Sequence, residues 1–155
     1  MANSFDFKKL RRLINIYAVV QVVLIGLLIY VAIVFQAGLQ AEGRAPRFLH
    51  SVIATLVIQL ALFFPINKFA RREAKREVDA LAPGLTPEEL KSQRNKRLFG
   101  DVIKMSVFIF FATFVYRAPK DRFFLSIVFF SFILTILSYF QCFNFAAKRE
   151  MQSRQ

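Results

Sequence analysis

The chain has 155 residues, of which 56% are hydrophobic and 21% are charged, and its net charge at pH 7 is +12. The apolar residues form solid blocks with the charges between them, whereas a soluble domain would distribute them with a helical or strand period. The basic residues flank these blocks, so no separate basic domain is left to bind nucleic acid, and the single cysteine, Cys142, excludes an internal disulfide and a cysteine-cluster metal site.

The first predicted element is a span within residues 13–41, a stretch of 29 residues without a charge. A helix needs about 20 apolar residues to cross the hydrocarbon core, and we place this span at about 13–35. Four basic residues precede it, as in a signal peptide, but the apolar run is too long for an h-region and we predict a retained helix. Two interpretations of the N-terminal arm, residues 1–12, stay open: an interfacial amphipathic helix, or a frayed terminus with stop-transfer charges.

The second predicted span, residues 48–67, is 20 residues long and has no charge. Ser51, Thr55 and Gln59 follow at four-residue spacing and therefore share one face of the helix. Small and hydrogen-bonding stripes of this kind mediate helix–helix contacts in lipid, so we predict that this face packs against another span. The one histidine, His50, stands at the outer end of the span, and a transmembrane b-type haem usually takes two. We therefore expect no haem, no other cofactor and no metal site.

A helical hairpin is predicted over residues 68–97, between the second and third spans. Helix formers continue from the second span until Pro83-Gly84 breaks the helix. Thr86 then serves as the N-cap of the next helix and forms a capping box with Glu89. The hairpin is either a docking surface or a solvated charged loop. The docking interpretation rests on seven of its nine basic side chains, which are Arg71, Arg72, Lys75, Arg76, Arg94, Lys96 and Arg97.

The third predicted span, residues 98–116, holds the only charges inside a span, Asp101 and Lys104. Ionisable residues within a span are rare and indicate function by default. The two are three residues apart, so they share a helix face and can pair. Either the pair neutralises itself and Lys104 snorkels to the headgroups, or one of the two binds a partner helix or an ion.

The fourth predicted span, residues 123–147, is 25 residues long and has no charge. Ser131, Thr135 and Ser138 follow at spacings of four and three and form a second stripe, which we also expect to pack against a helix. Together the spans predict an all-α four-helix transmembrane bundle, a single membrane domain over residues 1–155.

Lysine and arginine are distributed unevenly among the segments that join the spans. The N-terminal arm, the hairpin and the C-terminal tail carry four, nine and three of them, against two and three in the other loops. The positive-inside rule therefore places both termini and the hairpin in the cytoplasm. The lack of a transit peptide favours a bacterial inner membrane, with membrane lipid as the surroundings.

The start of the third span and the end of the second carry a family resemblance. The first segment is Phe99-Gly100-Asp101-Val102-Ile103-Lys104-Met105, and the second is Phe64-Pro65-Ile66-Asn67 followed by Phe69-Ala70-Arg71-Arg72. They resemble the Gly-acid-x-x-Lys segment and the Pro-containing helix end of ATP synthase protein I, a family of small four-helix membrane proteins. Asp101 stands where that family has Glu, and the small-residue-rich start of its second helix is missing. The resemblance implies an accessory or assembly role for the membrane rotor of ATP synthase, with a debated link to divalent cations.

The leading functional hypothesis is a non-catalytic accessory or assembly subunit of a larger membrane complex. Its partners would be other membrane subunits or further copies of the chain, bound through the polar stripes and the basic hairpin. The alternative is a small oligomeric transporter or channel, in which Asp101 would serve as the membrane carboxylate. A third hypothesis is an enzyme that acts on lipid or quinone through a cluster at the outer surface. That cluster comprises His50, Tyr116, Arg117, Lys120, Asp121 and Arg122.

Overall fold

A computed structural model describes residues 7–154, which form four helices and no other regular element. The helices are α1 (Lys8–Ala41), α2 (Pro46–Asp79), α3 (Pro87–Arg117) and α4 (Arg122–Ser153). Each is long and apolar enough to cross a membrane, so the predicted all-α, multi-pass architecture is confirmed. All four extend beyond the apolar stretches that predict them.

The helices are not packed equally. α4 makes the most extensive contacts, first with α2 and then with α1, while α3 touches α4 and α2 at few points. Gly100 is the one buried residue among the 31 residues of α3. The fold is therefore a three-helix core of α1, α2 and α4, with α3 attached at its periphery.

The buried apolar cluster lies at one end of the bundle, where α1 begins and where α2 and α4 end. We call this the basic end, because the arm, the α2–α3 connection and the C-terminal tail meet there. Six of the ten buried cluster residues lie outside the four apolar stretches; they are Phe7, Leu10, Ala70, Ala74, Val78 and Met151. Within lipid, burying these side chains gains little, because lipid tails are as apolar as the side chains themselves. Where the helices extend into water, the same burial removes apolar surface from water and stabilises the contact.

The N-terminal arm differs from both interpretations over the residues that the structure describes. α1 begins at Lys8, and the side chains of Phe7 and Leu10 are buried against α2 and α4. Residues 8–12 of the arm are thus the start of α1 and belong to the same continuous helix as the first span. The rest of the arm, residues 1–6, lies outside the described residues.

The two polar stripes both lie in the core, but their side chains do different things. Gln59 donates from Nε2 to Ser138 Oγ (2.7 Å) and to the Leu134 carbonyl (3.3 Å), which joins α2 to α4. Ser51 and Thr55 are buried, yet their hydroxyls donate to carbonyls of their own helix. Between helices, Ser51 and Thr55 therefore contribute only their small size, which allows close packing. Within the described chain, the buried hydroxyls of Ser131 and Thr135 have no hydrogen-bond partner.

Candidate functional site

The site begins at the start of α3, which local chemistry defines. Glu89 N donates to Thr86 Oγ1 (3.3 Å), and Thr86 N donates to a Glu89 carboxylate oxygen (2.8 Å), so the predicted capping box is confirmed. Gly84 turns the connection with φ +80°, a left-handed conformation that favours glycine. The turn at Gly84 and the capping box at Thr86 together determine where α3 begins, and the helix then runs back along α2.

The centre of the site is Glu73, a carboxylate on α2 that is only 3% exposed. Tyr139 of α4 donates its hydroxyl to Glu73 Oε2 (2.7 Å), and Lys104 of α3 places Nζ 3.0 Å from the same oxygen. Arg76, one turn along α2, donates from Nη2 to Oε1 (2.5 Å). One carboxylate thus joins three helices, and we call these four residues with Gly100 and Asp101 the Glu73 clamp.

Lys104 is shared between two carboxylates. Its Nζ lies 2.8 Å from Asp101 Oδ1, as the three-residue spacing predicts, and it also contacts Glu73 and lies 5.9 Å from the Tyr139 ring centroid. The Asp101 side chain is 57% exposed and that of Lys104 35%. The interpretation of a self-contained pair is therefore incomplete, because the second partner of Lys104 is a buried acid on α2.

Gly100 permits the close approach of α3 to α2. A Cβ atom at this position would overlap Glu73 Oε1. Arg76 reaches across the same contact, since its Nη1 donates to the Lys96 carbonyl on α3 (2.5 Å). Glycine therefore leaves room here for the Glu73 carboxylate, and the clamp is the main polar attachment of α3.

The charges within the clamp balance. Glu73 and Asp101 face Lys104 and Arg76, and Glu77 adds a further partner for Arg76 at 3.8 Å. A buried charge is tolerated when it is paired and hydrogen-bonded, and removing one partner is strongly destabilising. The arrangement suits holding helices together, since both oxygens of the buried carboxylate are already engaged by donors.

The basic side chains predicted to dock a partner separate into two groups. The prediction that Arg76 belongs to the docking surface is wrong. Its side chain is 14% exposed, and its guanidinium is engaged by Glu73 and by the Lys96 carbonyl. Arg97 lies 3.5 Å from Glu77, and Arg71 donates to Asn67 Oδ1 (3.0 Å). All of these basic side chains except Arg76 are exposed, including the remaining members Arg72, Lys75, Arg94 and Lys96.

Two members of the outer cluster of the enzyme hypothesis, Asp121 and Arg122, are engaged in structural contacts. Arg44 forms a two-pronged ion pair with Asp121 (3.1 Å to each oxygen), and Arg122 lies 3.2 Å from Glu42. Asp121 also accepts from the Phe123 amide (3.0 Å), which caps α4. The Arg44 hydrogen bond, then that of the Phe123 amide, hold the pKa of Asp121 below its usual range. These contacts tie the two short loops of the far end together.

Sequence reasoning missed Glu73 and Tyr139 as members of the site. A signal for Glu73 was present, since it lies between Ala70 and Ala74 on the face that continues to Val78, all of them buried. An acid on an inward-facing stripe needs a buried partner. No local pattern marked Tyr139, which stands 66 residues from Glu73.

Comparison of the chain with protein families, with curated proteins and with solved structures finds no match.

Proposed function

We propose that this protein is a non-catalytic accessory or assembly subunit of a larger membrane complex, and that α3 is the helix that meets the partner. The observation that carries the proposal is the attachment of α3. It buries one of its 31 residues within its own chain and is held by the Glu73 clamp and by stacking of Phe108 and Phe111 on Phe132. A helix held at few points leaves most of its surface for another subunit.

The exposed face of α3 offers a partner helix large aromatic side chains to pack against. Phe110 and Phe114 stand on it in ring contact with each other (centroids 5.8 Å apart) and are both exposed. In lipid, association is driven by van der Waals packing, and aromatic faces provide large contact area. We propose that both termini and the α2–α3 connection are cytoplasmic, in a bacterial inner membrane, because the basic residues concentrate at that end.

The test is purification of the tagged chain in mild detergent, with the co-purifying proteins identified by mass spectrometry. We expect at least one stoichiometric membrane partner, and the resemblance to ATP synthase protein I makes ATP synthase subunits the first to look for. Phe110→Ala with Phe114→Ala should release the partner. The matched control, Phe63→Ala with Phe64→Ala on the exposed face of α2, should retain it. A chain that purifies only as a lone monomer contradicts the proposal.

A small oligomeric transporter or channel is the second candidate, because Asp101 keeps an exposed carboxylate on α3. Such a carboxylate within a span is typical of ion and proton pathways. Flux of protons or cations into liposomes that disappears with Asp101→Asn would favour this function. Liposomes without flux, together with a co-purifying partner, would favour the accessory role.

A further inference from the structure

A groove of about 570 Å³ lies between α2 and α3 at the basic end. Its wall is apolar at one end and basic at the other. Near the apolar stretches it is lined by Phe69, Phe99 and Ile103, and farther along by Arg72, Lys75 and Lys96. We call it the α2–α3 groove.

Four basic residues line the groove, and only Arg76 is paired, through the Glu73 clamp; Arg72, Lys75 and Lys96 are not neutralised by the protein. Two carboxylates also line it, but Glu73 is engaged within the clamp, and Asp79 lies 2.7 Å from Arg154 Nη2. Among the described residues, no carboxylate lies within 4.0 Å of a nitrogen of Arg72, Lys75 or Lys96. The groove therefore presents an uncompensated positive charge.

The height of these residues matches the layers of a bilayer. Arg72 lies five residues beyond Asn67, where the second apolar stretch ends, which is about 7.5 Å at 1.5 Å per residue. Lys96 lies two residues before the third apolar stretch, about 3 Å from it. The headgroup layer on each side is roughly 5–8 Å thick, so Arg72 and Lys96 stand at the level of lipid phosphates. Phe99 and Ile103 stand at the level of the first acyl carbons.

We propose that the α2–α3 groove binds an anionic phospholipid. Arg72 and Lys96 contact its phosphate, Lys75 attracts the outer part of its headgroup, and one acyl chain lies along Phe99 and Ile103. Basic pockets between transmembrane helices bind anionic headgroups in this way. The apolar part of the wall, formed by Phe69, Phe99 and Ile103, favours a lipid over a free phosphate. A free phosphate would leave this apolar surface in water, whereas an acyl chain covers it. This inference does not depend on the proposed accessory role.

The test uses fluorescence quenching, which the chain permits because it has no tryptophan. Phe99→Trp places a single groove reporter, and Leu98→Trp places a control reporter at the same height on an exposed face outside the groove. Each purified variant is reconstituted in phosphatidylcholine vesicles with a minor fraction of brominated phosphatidylglycerol or, separately, of brominated phosphatidylcholine. The groove reporter should be quenched far more by the anionic lipid than by the neutral one, and the control reporter about equally by both.

Charge variants identify the residues responsible. A cation at the surface enriches anionic lipid roughly fivefold, so changing Arg72, Lys75 and Lys96 to Gln should lower the preference at the groove reporter by about tenfold or more. Changing Lys91, Arg94 and Lys148 to Gln removes the same charge from exposed positions of the same end outside the groove, and should leave most of the preference intact.

Three results would overturn the proposal. The first is equal quenching of the groove reporter by both brominated lipids, which decides the matter even if a charge variant fails to fold. The second is an equal loss of preference in the two triple variants, which would indicate general attraction to the surface. The third is relief of the quenching by excess inorganic phosphate at constant ionic strength, which would assign the groove to a soluble anion.

Discussion

Replacement of Gly100 by alanine tests whether α3 is held through Glu73. The added Cβ overlaps Glu73 Oε1, so the carboxylate must move and its hydrogen bond from Arg76 is lost. A hydrogen bond to a charged group contributes about 1.5–3 kcal/mol, while alanine in place of glycine stabilises a helix by about 1 kcal/mol. We therefore expect Gly100→Ala to destabilise the protein by about 0.5–2 kcal/mol, the difference between these two effects.

The same change should have the opposite sign once the carboxylate is gone. In a Glu73→Ala background the added Cβ meets no carboxylate, and its nearest neighbour is Arg76 Nη1 at 3.1 Å, the end of a flexible side chain that can shift by a few tenths of an ångström. The gain in helix propensity then dominates, at up to about 1 kcal/mol of stabilisation. The difference between the two backgrounds gives a coupling energy of about 1.5–3 kcal/mol, which lies in the upper part of the range of about 0.5–3 kcal/mol seen for residues in one network. Gly26 is the matched control, because a Cβ there meets nothing within 4 Å and Gly26→Ala should not destabilise.

The assay is reversible unfolding by SDS from mixed micelles, followed by circular dichroism for the four members of the cycle and for Gly26→Ala. An effect of Gly100→Ala that is the same in both backgrounds would refute the role of Glu73 as the contact that Gly100 accommodates. A Gly100→Ala protein as stable as Gly26→Ala would show that α3 does not lie this close to α2.

Three further predictions concern other contacts. A double-mutant cycle of Gln59→Ala and Ser138→Ala should give a coupling of about 0.6 kcal/mol in SDS unfolding, the mean for such bonds between membrane helices; additivity within error would exclude the bond. Thr86→Ala should cost about 1 kcal/mol at the start of α3, measured as faster amide exchange there with no change in α1. Because its pKa is lowered in the fold, Asp121 stabilises the far end above the pKa of an unfolded aspartate, and this contribution is lost as pH falls through the lowered value. Asp121→Asn should therefore remove part of the acid dependence of stability, and an unchanged pH profile would contradict the Arg44 contact.

The features that sequence predicts here are those that depend on neighbours along the chain. Apolar stretches, three of them without a charge, predict four helices because the apolar length needed to cross a bilayer is a local property. The capping box of Thr86 is likewise local, and so is the three-residue pairing of Asp101 with Lys104. Each of these features is present in the fold.

The features that sequence does not predict depend on which helix faces meet. Glu73 is one of several acids in a charged segment, and its burial follows from the position of Tyr139 and Gly100 on two other helices. Arg76 is part of a basic run, yet its contacts turn it inward. The peripheral position of α3 has the same origin, because all four stretches are apolar enough to span and periodicity alone does not rank their burial.

Site-specific photocrosslinking from α3 in native membranes tests the accessory role most directly. A photoreactive amino acid at Phe110 should give one discrete adduct with another membrane protein, and the same group at Leu60, on the exposed face of α2, should give none. A Phe110 adduct with a second copy of the chain would identify self-association instead. Adducts with lipid alone, at both positions, would contradict the account that α3 is the helix through which this protein joins a larger complex.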